Sequence, residues 1–155
     1  MSNWKTILEE KLPLLGHRNW IVVTDMAYPM QSNPGVLTIF AKEPFNEVVG
    51  SVSRMIADAP HVFAHTYLDK EQHSMSETLC KGWETYQKNI SSALDMSKVE
   101  FLLHEDLIRK LDEVSKLFNV VIIKTSLTIP YSSVFFELDC AYWDSTREAS
   151  IRKLM

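Results

Sequence analysis

The sequence predicts an α/β domain of three layers, α/β/α, with a mainly parallel sheet and an antiparallel C-terminal strand. Three observations lead there. Short runs rich in Val, Ile and aromatic residues alternate with stretches whose apolar residues recur every three or four positions. The run Val120 to Lys124 is apolar until its last residue, as in a strand buried on both faces. The last such run, Val134 to Cys140, follows after only a short loop, too short for a crossover, so it pairs antiparallel. A chain of 155 residues is the size of one domain and buries roughly two thirds of the surface its unfolded form exposes, so residues 1–155 are read as a single domain.

The elements follow in order. Residues 4–15 carry Trp4, Ile7, Leu8, Leu12 and Leu15 at helical spacing, an amphipathic helix ended near Pro13 to Gly16 whose apolar face suits packing against another copy or its own core. Trp20 to Thr24 is a strand that empties into Asp25 to Gly35, irregular because of Pro29, Pro34 and Gly35. Val36 to Ala41 is a strand, Pro44 to Ala57 a helix with proline in its first turn, and His61 to Leu68 a strand. Met75 to Leu94 reads as helix, Val99 to Leu103 as strand, Glu105 to Phe118 as helix and Val120 to Lys124 as strand. Ser126 to Ser133 is a loop before the closing strand, and the charged last dozen residues form a tail or short helix.

Composition narrows the function. Apolar residues make up 46% and charged residues 23%, an ordinary globular balance. No apolar run reaches the eighteen or so residues of a membrane span, and Glu9 and Glu10 stand where a signal peptide carries its apolar segment, so a cytoplasmic protein without a membrane partner is expected. The net charge is −4 and the basic residues are scattered, which argues against nucleic acid. Cys80 and Cys140 have no metal or disulfide spacing and are expected as buried thiols. Only four glycines are present, without the Gly-rich phosphate motifs or the H-E-x-x-H, G-x-S-x-G and EF-hand patterns. No cofactor and no metal are expected.

In an open α/β sheet, ligands collect outside the carboxyl ends of the strands. Asp25 follows the first strand, His104 the fourth, and Tyr131 with Ser133 precedes the last. His17 comes from the turn before the first strand, with Asn19 and Tyr28 close in sequence. Two histidines and a carboxylate can serve as general acid, general base and orienting group. The residue types alone leave other roles open: His17 as a solvated turn residue, His104 as a helix-start residue, Asp25 as an Asx turn. His61, His65 and His73 read as structural, since a metal site there would need a third ligand such as Asp69. Trp83, Tyr86, Phe101 and Phe118 read as core.

The segment Leu15-Gly-His-Arg-Asn-Trp-Ile-Val-Val-Thr-Asp-Met-Ala-Tyr-Pro resembles the signature of the ribose pyranase and fucose mutarotase family, in which a Gly-His-x-Asp turn leads through an apolar strand to Asp and, four residues on, Pro. Phe101-Leu-Leu-His104-Glu resembles that family's strand-then-histidine segment, and Pro130-Tyr-Ser-Ser-Val its Pro-Tyr-x-Asn turn. The resemblance implies a small free monosaccharide as ligand, His17 as acid/base, Asp25 as its orienting group or a grip on a sugar hydroxyl, and His104 and Tyr131 completing the pocket. It also implies ring-like homo-oligomers with sites near subunit contacts and no cofactor. Two departures stand out. Asn19 replaces the second Asp after the histidine, and Ser133 replaces Asn, so relatives' turnover and sugar preference are not transferred with the pattern. The alternative implied is a sugar-binding or regulatory protein that keeps the pocket without efficient catalysis.

Overall fold

The computed structural model describes residues 3–155. In chain order, α1 (Trp4–Lys11) runs into a 3-10 turn at Leu12–Leu14, followed by β1 (Trp20–Thr24), β2 (Val36–Phe40), α2 (Phe45–Asp58), β3 (Val62–Asp69), α3 (Trp83–Ala93), β4 (Val99–Leu102), α4 (His104–Val114), β5 (Val120–Lys124), β6 (Val134–Cys140) and α5 (Ser145–Leu154). The six strands form one sheet in the order β2-β5-β1-β6-β3-β4. β6 is antiparallel to both of its neighbours, β1 and β3, while every other pairing is parallel. The reversed strand therefore lies inside the sheet. The carboxyl ends of the other five strands gather at one end, beside the start of β6.

Alternation along the strands builds the three layers. Ile21, Val23, Val121, Ile123, Val134 and Phe136 face a core closed by α1, α2 and α3. Trp20, Val22, Val120, Ile122 and Phe135 face the opposite layer, closed by Leu107 and Leu111 of α4 and by Tyr28. Each interior strand thus presents apolar residues to both sides, which is why these runs lack the polar alternation of a half-exposed strand.

Several expectations are corrected. The helix expected over 75–94 starts only at Trp83, because Gly82 has φ +95° and ends the preceding turns in the left-handed region. The Glu77 carboxylate accepts hydrogen bonds from the amides of Gly82 (2.7 Å) and Glu84 (3.0 Å), so it satisfies donors at the start of α3 from outside the helix. The apolar face of the first helix belongs to the chain's own core: Trp4, Leu8, Leu12 and Leu15 are all buried there. It offers no free stripe to a second copy. Cys80 and Cys140 are free and only half-buried. His61, expected at the start of a strand, instead lies within hydrogen-bond distance of the carbonyls of Leu12 and Leu15, both at 3.0 Å, and closes the end of the 3-10 turn.

Candidate functional site

At the carboxyl end of the sheet lies an open cavity of about 480 Å³, lined by Asp25, Tyr28, Asp69, His104, Tyr131 and Ser133 among others. Asp25 extends from the end of β1 and Asp69 ends β3. His104 opens α4 directly after β4, and Tyr131 and Ser133 precede β6. The cavity thus sits where the two parallel halves of the sheet flank the reversed strand. Its size suits a small ligand.

Each side chain is held for a local reason. The His104 amide donates to both carboxylate oxygens of Glu71, at 3.0 and 3.2 Å, so a side chain from the 3-10 turn after β3 caps α4. The imidazole Nδ1 lies 3.1 Å from each carboxylate oxygen of Asp69. That bond raises the His104 pKa, with burial opposing it. Asp69 is fully buried, and burial raises its own carboxyl pKa against the pull of His104. Nε2 of His104 is without a partner among the described residues and is the nitrogen left for a ligand. Tyr131 has φ +56°, an unusual backbone for a large side chain. Its carbonyl accepts from Gln72 Nε2 at 2.8 Å, which ties that backbone to the buried Gln72. The ring meets His104 edge-on, with centroids 5.7 Å apart.

Asp25 has no side-chain partner among the described residues. Burial raises its carboxyl pKa, while its own amide and the charges of Lys124 and His104 pull the other way. The Tyr28 hydroxyl is pushed up to about 12 by burial and by the nearby charges of Asp112 and Asp69, so it stays protonated; it lies 3.5 Å from Gln31 Oε1. The buried Ser133 hydroxyl makes no hydrogen bond to another described residue. The cavity therefore offers the carboxylates of Asp25 and Glu105, one free imidazole nitrogen, the hydroxyls of Tyr28 and Ser133 and the partly exposed phenol of Tyr131.

His17 and Asn19 lie elsewhere. They precede β1, whose five residues at roughly 3.3 Å each separate the two ends of the sheet by roughly 17 Å. His17 Nδ1 is 2.7 Å from Oδ1 of Asp139, near the end of β6, and the ring is 59% exposed. Asn19 is committed to the turn: its Oδ1 accepts from the Gly16 amide (2.7 Å) and its Nδ2 donates to the Asn119 carbonyl (3.0 Å). One chain thus brings Asp25, Tyr28, His104, Tyr131 and Ser133 together and leaves His17 and Asn19 at the far end. Asp69 is the site residue that the sequence suggests only as a possible third metal ligand. Its position at the carboxyl end of β3 was the available signal.

The protein is thus an α/β domain with carboxylates, an imidazole and hydroxyls around a cavity at its strand ends. The chain is a member of the RbsD / FucU transport protein family, whose model matches residues 6–140. Its fold is similar to that of Bacillus subtilis RbsD complexed with D-ribose, at 17% identity and TM-score 0.60, covering 90% of this chain and 95% of that one. It is also similar to the fucose mutarotase from Streptococcus pneumoniae in complex with L-fucose, at 19% identity and TM-score 0.57, covering 86% and 91%. FucU from Bifidobacterium longum matches at 11% identity and TM-score 0.58, covering 88% and 96%. No curated protein matches the chain in sequence.

Proposed function

We propose that this protein interconverts cyclic forms of a free monosaccharide, of the ribose or fucose kind, by acid/base opening and reclosure of the hemiacetal. The observation that carries this reading is the Asp25 carboxylate, without a side-chain partner among the described residues, sharing one cavity with His104, Tyr131 and Ser133, and with Gln31, Glu105 and apolar groups around them. A neutral polyol needs acceptors and donors for its hydroxyls and a flat apolar surface for its C–H face, and these residues provide both. Family membership supports a sugar ligand.

The reaction needs one proton removed and one returned. A base takes the anomeric hydroxyl proton, the oxygen lone pair closes to a carbonyl, the bond from the anomeric carbon to the ring oxygen breaks, and the ring oxygen receives a proton. Imidazole exchanges protons in either direction near neutral pH. His17 carries this exchange from a neighbouring copy: it projects into solvent from the end of the sheet opposite the cavity, so head-to-tail association around a ring brings the His17 of one copy to the Asp25 of the next. Asp25 and Ser133 hold sugar hydroxyls, and the Asp69–His104 pair holds the anomeric end.

Saturation-transfer NMR across ribose, fucose and other free sugars tests the reading, because it reports binding and anomer or ring-size exchange together. Wild-type exchange with at least one sugar is expected. His17→Ala is expected to remove about a hundredfold or more of it. An equimolar, co-refolded mixture of His17→Ala and Asp25→Asn chains is expected to regain about a quarter of wild-type exchange, since random assembly places an intact histidine beside an intact aspartate at about a quarter of head-to-tail contacts. No regain would put the site within one chain. The position of His17 away from the cavity also favours a second reading, a sugar-binding protein without turnover, and binding with no exchange for every sugar selects it.

A further inference from the structure

Beside the cavity, the molecule has a second cluster of titratable side chains, at the opposite end of the sheet. Asp139, near the end of β6, faces two imidazoles: its Oδ1 is 2.7 Å from His17 Nδ1 and its Oδ2 is 3.0 Å from His65 Nε2. The Cys140 amide also donates to Oδ1, at 2.8 Å. Three donors from separate points of the chain thus converge on one carboxylate. They draw its pKa down although partial burial works against them.

The backbone explains why His17 meets Asp139. The Arg18 amide donates to the Leu138 carbonyl at 3.1 Å, and the Leu138 amide donates to the Asn19 carbonyl at 2.8 Å, so the turn carrying His17 is laced to the end of β6. Arg18 has φ +77°, which turns the chain so that its neighbours reach β6 on one side and β5 on the other. Asn19, two residues from His17, spends both ends of its amide on the turn and on Asn119. It cannot also orient the imidazole.

We infer that Asp139 is the positioning residue of His17, fixing the neutral ring with hydrogen on Nδ1 and aiming an unprotonated Nε2 outward for proton exchange. The inference rests on the proposed role of His17 in sugar ring opening. A carboxylate that accepts from Nδ1 selects the tautomer whose Nε2 lone pair takes the anomeric proton, and it stabilises the imidazolium formed until Nε2 returns that proton to the ring oxygen. Asp139 reaches His17 across the sheet rather than along the turn, so the orienting group and the histidine come from opposite ends of the chain. His65 is the second occupant of the same carboxylate, edge-on to Phe63 with centroids 5.0 Å apart, and it is not required for the tautomer.

The test uses the full-length protein and ring-¹⁵N spectra recorded at mildly alkaline pH, together with saturation-transfer exchange for a sugar on which the wild type is active. In the wild type the His17 spectrum is expected to show hydrogen on Nδ1. In Asp139→Ala, which removes the oxygen facing His17 Nδ1, the tautomer is expected to shift toward hydrogen on Nε2. Its kcat should fall about tenfold or more with KM within about twofold, because only transition-state stabilisation is lost. His65→Gln should keep both the His17 tautomer and the rate. An active wild type whose His17 tautomer and kcat are the same in Asp139→Ala overturns the inference and leaves the sugar reading standing. A wild type that exchanges no sugar overturns the sugar reading itself, and the inference with it.

Discussion

Asp69 and His104 come from the ends of two adjacent parallel strands, β3 and β4, and meet with His104 Nδ1 3.1 Å from both oxygens of a carboxylate that has no exposure to solvent. A buried carboxylate is tolerated when a hydrogen-bonding partner answers it, and this imidazole is the partner. The pair also fixes which nitrogen of His104 faces the cavity. Structure and chemistry therefore share one contact.

Removing the imidazole should leave Asp69 stranded. His104→Ala is expected to cost about 2 kcal/mol at neutral pH, below the range for fully buried pairs because the His104 side chain keeps 30% of its exposure. The sign of the pH dependence follows from the raised His104 pKa. Its contribution is fully present below the unfolded value near 6.5 and is lost as pH rises through the higher folded value. Asp69, also raised, acts in the same direction from 3.8 upward. Urea unfolding from about pH 5 to about pH 9 should show wild-type stability declining above 6.5, and His104→Ala should lack that decline. Parallel curves would show that the contact does not couple to protons.

Asn19→Asp separates two views of the turn. If a carboxylate at this position were what the protein lacks, the substitution would speed sugar exchange. The geometry points the other way: Nδ2 donates to the Asn119 carbonyl at 3.0 Å, and a carboxylate oxygen in its place would face another acceptor. Expected are a loss of about 1 kcal/mol in unfolding free energy and no gain in exchange rate. A faster variant would show that the turn, and not Asp139, sets the rate.

Gly35 is needed for space. A Cβ there would collide with the backbone carbonyl of Ser115 at the end of α4, in a loop already pinned by Asn33, whose Nδ2 donates to Ser115 Oγ at 3.0 Å and whose Oδ1 accepts from the Gly35 amide at 2.8 Å. Gly35→Ala should cost about 1–3 kcal/mol, seen as a lower thermal midpoint. Because the same loop carries Tyr28 and Gln31 into the cavity, sugar affinity should fall with it. A variant as stable as the wild type would mean that α4 yields easily.

The strands were readable because burial on both sheet faces writes a dense apolar run: Trp20–Thr24 and Val120–Lys124, and Val134–Cys140 despite Glu137 and Asp139, have the limits their composition implies. The helix over 75–94 was overextended, since Glu77 reaching forward to cap α3 is a side-chain contact that periodicity does not register. Of the site, Asp25, His104, Tyr131 and Ser133 follow from the rule that strand ends bear ligands. Asp69 falls under the same rule, but its role depends on its pairing with His104 across β3 and β4, which no local pattern states. The separation of His17 from Asp25 was implicit in a five-residue strand between them. Its pairing with Asp139, 122 positions away, depends on which strand sits beside β1, and no local pattern states that.

The interior position of β6 has a consequence for the order of assembly. Before β6 is available, β2, β5 and β1 form one parallel group and β3 and β4 another, with no pairing between them. The strand that joins the groups is the last of the six in chain order. Without β6 in place, the edges of β1 and β3 that it covers are bare, and the ligand cavity lacks the seam between its two walls. Until β6 docks, those edges are free to pair with another chain.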